Sequence, residues 1–289
     1  MYTIENNLLR ILVDQKGAEL TSIYHKSLQL EYMWEGDPVY WSKHSPVLFP
    51  VVGGLKTNTY FFDNRPYQLP RHGFAREKKF SVANQSAASI SFTLSDDEET
   101  LVVYPFRFEL TIKYTIDGSE LAVSYQVKNK SNEDMFFSIG GHPAFKVPLV
   151  DGTNYDDYYL EFNQEEKSCK WPVSPDGLIE SEPSPFFQND SRIPLKKSLF
   201  QQDALVFKDL HSDSVSLRCN KHEHGLDFEF KGFPYMGIWA AKNADFVCIE
   251  PWCGIADSVH ADQQLKSKEG IIRIVKEKLF EREWKARFW

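Results

Sequence analysis

A strict two-residue alternation in the middle of the chain constrains the fold more than any other feature. Between Phe106 and Asp117 every even-numbered residue is apolar and every odd-numbered residue is polar. Successive side chains of a β-strand point to opposite faces, so this segment is predicted to be a strand with one buried and one wet face. A similar alternation covers residues 121–128, and Asp117–Gly118 between the two segments is typical of a hairpin turn. We therefore predict an antiparallel strand pair.

Other segments repeat the strand signal at short spacing. Leu8–Val13 and Met135–Ile139 are short apolar runs, and residues 280–288 alternate at most positions. Asp63–Arg65 is typical of a second hairpin turn. Aromatic residues make up 15% of the chain, which favours sheet over helix, and no long segment has a helical period. We predict an all-β protein in which residues 1–289 form one large antiparallel β-sandwich domain.

Charge and hydropathy exclude several classes of protein. Lys and Arg number 33 against 41 Asp and Glu, the net charge is -8, and no basic tract is present, which argues against a nucleic-acid partner. No apolar run reaches the roughly 18–20 residues that span a bilayer. Residues 1–6 lack the basic and apolar regions of a signal peptide. We expect a cytoplasmic protein that binds neither nucleic acid nor membrane and exists as a monomer or a homodimer.

The cysteines do not have the spacing of a disulfide framework or a zinc site. No two of them form a Cys-x-x-Cys pair. Cys248 lies in an apolar run, so we expect it to pack as a small core residue. The four cysteines are Cys169, Cys219, Cys248 and Cys253.

A single carboxylate interrupts the otherwise apolar segment Phe246–Trp252. Alternation along a strand places Cys248 and Glu250 on one face, and Pro251 is expected to end the strand because it has no N–H to donate. A charge held out of water costs several kcal/mol unless it is compensated. Two interpretations follow. Either Glu250 pairs with an Arg or Lys at the strand end, or it lies in a cleft with a raised pKa, ready to accept a proton.

Two histidines occupy similar positions at strand-to-loop junctions. His72 lies in the non-periodic segment Pro70–Arg76, and His142 follows the apolar run Met135–Ile139 and two glycines. Either histidine alone is more often structural than catalytic. Together with Glu250 they form a more informative set. A Glu base and a His acid can transfer protons at neutral pH without a metal or cofactor, provided that their pKa values are tuned.

Four short motifs, in this order along the chain, resemble those of the aldose 1-epimerase (galactose mutarotase-like) family, and in particular its LacX-like branch. They are Arg71–Arg76, Gly141–Phe145, Gly237–Trp239 and Cys248–Trp252. No single motif is specific, but their order and spacing match over nearly the full chain. The family fold is a large antiparallel supersandwich, which agrees with the alternation. The resemblance implies interconversion of sugar anomers without a cofactor or a metal.

The same resemblance assigns roles to individual residues. The residue that matches the family's general base is Glu250, which would take the proton of the C1 hydroxyl of a hexopyranose. The general acid corresponds to His142, which would protonate the ring oxygen. His72 would hydrogen-bond the sugar near the reacting oxygens. Asp203 resembles the family's sugar-binding Asp, although an Asp at a turn or a strand start is an equally good interpretation.

Three aromatic residues near these motifs have two possible roles. Trp239, Trp252 and Phe74 could offer an apolar face to the C–H groups of the sugar, or they could belong to ordinary core packing.

The chain departs from the family at one position. Many members carry a sugar-contacting Arg in the segment that matches Pro50–Lys56, where this chain has Gly54. We expect that Arg71, Arg76 or Lys56 supplies the missing cation.

Three functions are consistent with these residues. The first is an aldose 1-epimerase acting on a free hexose. The second is a hexose-6-phosphate 1-epimerase, in which Arg71 and Arg76 would clamp the phosphate. The third is a sugar-binding or regulatory protein that has kept the fold and lost catalysis. A glycoside hydrolase is less well supported, because that chemistry usually needs two carboxylates and only Glu250 is in a persuasive position.

Overall fold

The computed structural model describes residues 1–289 and consists largely of β-strands. The first twelve strands are β1 (Tyr2–Glu5), β2 (Leu9–Val13), β3 (Leu20–His25), β4 (Leu30–Glu31), β5 (Val47–Leu48), β6 (Thr59–Phe62), β7 (Arg65–Gln68), β8 (Ser81–Gln85), β9 (Ser89–Ser95), β10 (Phe108–Asp117), β11 (Glu120–Asn129) and β12 (Met135–Phe137). The others are β13 (Ile139–Gly141), β14 (Ala144–Lys146), β15 (Tyr158–Glu166), β16 (Cys169–Lys170), β17 (Ser184–Pro185), β18 (Asp190–Pro194), β19 (Leu205–Phe207), β20 (Ser214–Cys219), β21 (Leu226–Glu229), β22 (Tyr235–Trp239), β23 (Phe246–Cys253), β24 (Ile272–Ile274) and β25 (Leu279–Phe288).

Helical segments are short. The one α-helix, α1 (Glu98–Val103), begins with a capping box in which Asp97 and Thr100 satisfy each other's backbone N–H groups. The 3-10 turns are Lys56–Asn58, Ala75–Glu77, Tyr155–Asp157, Lys197–Phe200 and Leu265–Ser267. None of these helices has the length and apolar character needed to cross a membrane.

The predicted strand pair lies in the larger of the two main sheets. This sheet has nine strands in the order β18-β15-β20-β21-β25-β11-β10-β9-β8. Strands β10 and β11 pair antiparallel from Phe108 with Asn129 to Asp117 with Glu120, which confirms the pair. The strand begins at Phe108 rather than Phe106, and the turn residues are Gly118 and Ser119, one residue later than predicted. The shift occurs because Asp117 still pairs with Glu120 in the ladder.

The smaller main sheet carries the candidate site. It has six strands in the order β19-β22-β23-β13-β5, and β14 also pairs with β23. All eight residues of β23 are buried, as is typical of a central strand covered on both faces. The apolar run Met135–Ile139 is two short strands rather than one, because the chain changes partner at Ser138: β12 pairs with β24, and β13 pairs with β23 and β5.

Pro251 does not end its strand, contrary to the sequence-based expectation. The strand β23 continues to Cys253, and Pro251 lies opposite Met236 in the ladder with β22. On the other edge the backbone N–H of Ile249 bonds to Pro143, and the nitrogen of Pro251, two residues later, faces the same edge. The ladder between β13 and β23 ends at Gly140 and Trp252, one residue short of Pro251, so the missing N–H lies where the pairing stops.

The two main sheets contribute to one hydrophobic core. A contiguous cluster of 72 buried residues extends from Ile4 to Phe288. Aromatic contacts cross between the sheets, for example Phe145 with Phe228, whose ring centroids are 5.9 Å apart. This arrangement confirms the predicted all-β antiparallel sandwich. The four cysteines are free, and Cys248 is fully buried within the core.

Candidate functional site

One cavity collects the residues that the sequence singled out. It has a volume of about 370 Å³ and opens over β22 and β23. The candidate acid–base residues and all the candidate sugar ligands except Phe74 line it. These residues are His72, Arg71, Arg76, His142, Asp203, Trp239, Glu250 and Trp252.

The register of the sheet places His142 beside Glu250. Gly140 pairs with Trp252, and Ala144 pairs with Cys248. These two pairs belong to one register, so the position opposite Glu250 is His142, in the gap between β13 and β14. His142 Nε2 lies 3.2 Å from Glu250 Oε2. Two segments more than a hundred residues apart in sequence therefore deliver adjacent side chains, as a cross-strand pair does.

Glu250 is a carboxylate in a cleft and not half of an ordinary surface ion pair. Its side chain is 2% exposed, and the ionisable group within 4 Å is His142 rather than an Arg or Lys. The alternative in which Glu250 pairs with a cation at a strand end is therefore wrong. Gly237 lies opposite Glu250 on the other neighbouring strand and contributes no side chain.

Burial perturbs the pKa values of this pair in opposite directions. Desolvation raises the pKa of Glu250 well above its ordinary value; Arg71 opposes this effect and Asp203 adds to it. Desolvation lowers the pKa of His142 to about 3, and the charges of Arg71 and Arg76 also lower it. Both shifts disfavour charge, so they favour the neutral form of each group, in which the carboxyl of Glu250 carries the proton of the pair.

His72 is held as a neutral hydrogen-bond donor. Its Nδ1 accepts the backbone N–H of Gly53 at 3.1 Å, which leaves the proton of the neutral ring on Nε2. Burial lowers the pKa of His72 well below its ordinary value, and His142 lowers it further. The backbone there is left-handed at both His72 and Gly73. A Cβ on Gly73 would lie 2.3 Å from the carbonyl oxygen of Phe49, so only glycine fits this turn.

Aromatic side chains enclose His142. Trp41 stacks on the imidazole with ring centroids 4.9 Å apart, and Trp239 meets it edge-on at 5.5 Å. Both indoles line the cavity. The sequence interpretation missed Trp41, because it lies in an irregular segment where no periodicity marks it. These rings exclude water from the imidazole, which explains the direction of its pKa shift.

Three cations line the cavity. Arg71 lies 3.6 Å from Asp203, and Arg76 donates from Nη2 to the backbone oxygen of Arg71 at 2.9 Å. Lys242 is the third, and it follows β22 in a short loop that carries no motif. Lys56 does not line the cavity, so it cannot be the cation that replaces the family's Arg.

The position of Gly54 leaves only tight space for a side chain. A Cβ there would lie 3.1 Å from the backbone oxygen of Gly177. The guanidinium of Arg71 packs on the other side of Gly177. Phe74, by contrast, packs edge-on against Phe49 in the core at 6.1 Å, so its expected role as a sugar platform is wrong and the core interpretation is right.

Donor atoms of His142, Cys248 and Glu250 lie within 4.8 Å of one another, which is a spacing that a metal ion could use. The thiol is fully buried, and burial raises its pKa well above its ordinary value. A metal-bound cysteine is a thiolate, so a thiol held in its protonated form is a poor ligand. We interpret Cys248 as packing beneath the pair.

Four buried polar atoms of the lining residues have no hydrogen-bond partner within the protein. Such atoms are rare in folded proteins, and at the wall of a cavity they are available to bond to a ligand or to water. They are Arg76 Nε, His142 Nδ1, Glu250 Oε2 and Trp252 Nε1.

Comparison with known proteins identifies relatives of the whole chain. Residues 1–270 match the family model described as aldose 1-epimerase. The chain is 36% identical over 282 residues to the chromosomal protein LacX of Lactococcus lactis subsp. lactis, covering 94% of each chain.

Solved structures of similar proteins share the fold over the whole chain. The galactose mutarotase related enzyme of Lactobacillus acidophilus is 36% identical, with a TM-score of 0.94 and coverage of 100% of this chain and 97% of that one. A galactose mutarotase-like protein of Lactobacillus casei is 28% identical, with a TM-score of 0.94 and full coverage of both chains. A putative aldose 1-epimerase of Escherichia coli, 17% identical with a TM-score of 0.79, covers 100% of this chain and 98% of its own and shares the fold.

Proposed function

Because the chain belongs to the aldose 1-epimerase family, we propose that it interconverts the α and β anomers of a hexose by opening and closing the pyranose ring. The observation that carries this proposal is the Glu250–His142 pair, 3.2 Å apart at the floor of a cavity lined by the other candidate sugar ligands. The two oxygens of a hemiacetal are bonded to one carbon, so the groups that serve them must lie side by side, as these two do.

The pair works as a shuttle for one proton. With the cyclic sugar bound, Glu250 is a carboxylate and His142 an imidazolium. Glu250 takes the proton of the C1 hydroxyl while His142 gives its proton to the ring oxygen, and the bond between C1 and the ring oxygen breaks. The C1–C2 bond then rotates, and closure from the other face reverses both transfers. The pair ends as it began, so no net proton is gained or lost.

The resting arrangement of the pair fits this cycle. The free protein holds its proton on Glu250, which is the arrangement the pair also has when the open-chain aldehyde is bound. Binding of the cyclic sugar requires transfer of that proton to His142, across the contact between Oε2 and Nε2. Arg71 favours this transfer, because its charge stabilises the carboxylate form of Glu250.

The other lining residues bind and orient the sugar. His72 donates from Nε2, because its Nδ1 is occupied by Gly53. Asp203 accepts from sugar hydroxyls while Arg71 holds its carboxylate in place. Trp239 offers an apolar ring to the C–H groups.

Polarimetry tests this function directly. Relaxation of optical rotation is followed for freshly dissolved anomers of several hexoses, with and without the protein. We expect relaxation faster than in buffer for at least one of them. If a sugar binds but the optical rotation of no sugar relaxes faster than in buffer, the protein is a sugar-binding or regulatory protein of this fold. Gly54, in place of the family's Arg, favours that alternative.

The cations favour a second candidate substrate. Arg71, Arg76 and Lys242 line a cavity whose lining carboxylates are Asp203 and Glu250, and two guanidinium groups can bind a phosphate through paired hydrogen bonds. The alternative is therefore a hexose-6-phosphate 1-epimerase. Rates with glucose and galactose are compared with those of their 6-phosphates. Replacement of Lys242 with Ala should lower activity on the phosphates alone if they are the substrates.

A further inference from the structure

Trp252 occupies a position that two glycines create. It follows Glu250 by two residues on β23 and points to the same face. A Cβ on Gly140 would lie 2.7 Å from Cδ1 of the indole, and a Cβ on Gly237 would lie 2.4 Å from Cζ2. The indole therefore lies close over the backbone of both neighbouring strands. Any other residue at either position would displace it.

The direction in which the indole leans is informative. Trp252 pairs with Gly140 and Tyr235, whereas Gly237 pairs with Glu250. The six-membered ring of Trp252 thus lies over the residue opposite Glu250, not over its own partner on that side. The side chain is tilted along the strand toward the carboxylate.

Two complementary polar atoms belong to side chains on this face of β23. Trp252 Nε1 and Glu250 Oε2 are both buried, and neither has a hydrogen-bond partner within the protein. An indole nitrogen can only donate, and an ionised carboxylate can only accept. A buried group left without a partner destabilises the state in which it is unpaired. Each of these atoms is suited to satisfy the other when Glu250 gives up its proton.

We propose that the indole N–H of Trp252 donates to the carboxylate of Glu250 in the reactive form of the pair, which makes Trp252 a positioning residue rather than a platform for the sugar. The inference rests on the proposed function, in which Glu250 must become a carboxylate before it accepts the C1 proton. Gly140 and Gly237 belong to the same arrangement, because the absence of a side chain at both positions lets the indole approach Glu250.

The electrostatics agree with this geometry. Burial raises the pKa of Glu250, Arg71 lowers it, Asp203 raises it, and the nearby indole donor of Trp252 lowers it. Loss of that donor therefore favours the protonated carboxyl and makes the reactive carboxylate rarer. The ionisable groups around Glu250 are Arg71, His72, Arg76, His142, Asp203, Lys242 and Cys248.

Replacement of Trp252 with Phe tests the proposal, because it keeps an aromatic ring and removes the N–H. We expect kcat to fall about tenfold, the loss that corresponds to one charge-assisted hydrogen bond. The alkaline limb of kcat/KM should move to higher pH while KM stays near the wild-type value. A rise in KM with kcat and the alkaline limb unchanged would show that the indole binds sugar instead, and the proposal would be wrong.

A direct titration separates this proposal from the proposed function. The side-chain carboxyl of Glu250 is followed by ¹³C NMR in glutamate-labelled protein without sugar, and its signal is assigned with Glu250→Gln. It should titrate at higher pH in Trp252→Phe than in the wild type, whether or not the protein epimerises any sugar. The matched control is Trp284→Phe, which removes a buried indole N–H that bonds to Tyr125 outside the cavity and should leave the titration unchanged. Equal titration in all three proteins would overturn the proposal.

Glycine substitution gives a second variant that keeps the indole. Gly237→Ala should push the ring away from Glu250 and raise the pH of the same titration. An unchanged Glu250 signal in a folded Gly237→Ala protein would contradict the role given to the glycines.

Discussion

The chemistry proposed here depends on where a single proton resides. Glu250 and His142 lie opposite each other in one register, and burial disfavours the charged form of both. In water the carboxylate and the imidazolium would both be stabilised, and the two groups would titrate independently. The indoles of Trp41 and Trp239 exclude water from the pair. In the proposed mechanism the aromatic residues therefore serve the acid–base chemistry as well as sugar binding.

The pH dependence of kcat/KM follows from these shifts. This parameter reports the free enzyme, which loses its active form when the pair gains a second proton or loses its only one. Because the pKa of His142 is lowered to about 3, the acidic limb should lie near pH 3 and not near the 6.5 of an ordinary histidine. The rate of mutarotation is measured from pH 4.5 to 8 after subtraction of the buffer reaction, and it should show no acidic limb in that range.

Tryptophan fluorescence at each pH serves as the control for folding in that series. An acidic limb between pH 6 and 7 in folded protein would mean that His142 is solvated and that the shared-proton arrangement is wrong.

Among the strands, the sequence predicted those that have one face exposed to solvent. Strands β10 and β11 alternate because one side of their sheet meets solvent. The strand β23 is buried on both faces, so its apolar composition indicates a strand although it has no polar–apolar alternation. The sequence did not show that this strand continues past Pro251. Local sequence cannot show that a proline lies where the pairing with a neighbouring strand stops.

The candidate site was predictable to the extent that motifs carried it. His72, His142 and Glu250 lie in short motifs, and the structure brings them together in one cavity. Trp41 and Lys242 lie in loops without a pattern, and only the tertiary fold places them at the cavity. The register that sets His142 opposite Glu250 also joins distant segments, which no local pattern reveals.

The turn that carries His72 depends on Gly73. Replacement with Ala should destabilise the protein for two reasons, the left-handed backbone and the contact of 2.3 Å with the oxygen of Phe49. Gly118→Ala is the matched control, because Gly118 is also left-handed but has no atom within 4 Å of the added Cβ. We expect a loss of roughly 1–2 kcal/mol for Gly118→Ala and at least about 1 kcal/mol more for Gly73→Ala, measured by urea unfolding. Equal losses would show that the contact is relieved without strain.

At the scale of the whole molecule, one core joins the sheets. The buried cluster of 72 residues runs from Ile4 near one end of the chain to Phe288 near the other. Both main sheets contribute, and aromatic pairs such as Phe49 with Phe108, 5.0 Å apart, connect them. The walls of the cavity come from both halves of the chain, between Trp41 and Ala256.

We predict that the chain unfolds as a single cooperative unit. Urea transitions followed by tryptophan fluorescence and by far-ultraviolet circular dichroism should coincide, since the 72-residue core extends through both sheets. Two separate transitions would show that the chain contains two domains and would contradict the prediction that residues 1–289 form one.

Glu250→Gln is assayed beside the wild type by polarimetry, on a hexose whose mutarotation the wild type accelerates. Gln keeps the shape of the side chain but cannot accept the C1 proton, so the rate should fall at least about a hundredfold, with an unchanged circular dichroism spectrum. Glu166→Gln is the matched control, because Glu166 is fully buried but bonds to backbone N–H groups outside the cavity, and it should retain catalysis. Wild-type rates in folded Glu250→Gln would contradict the account.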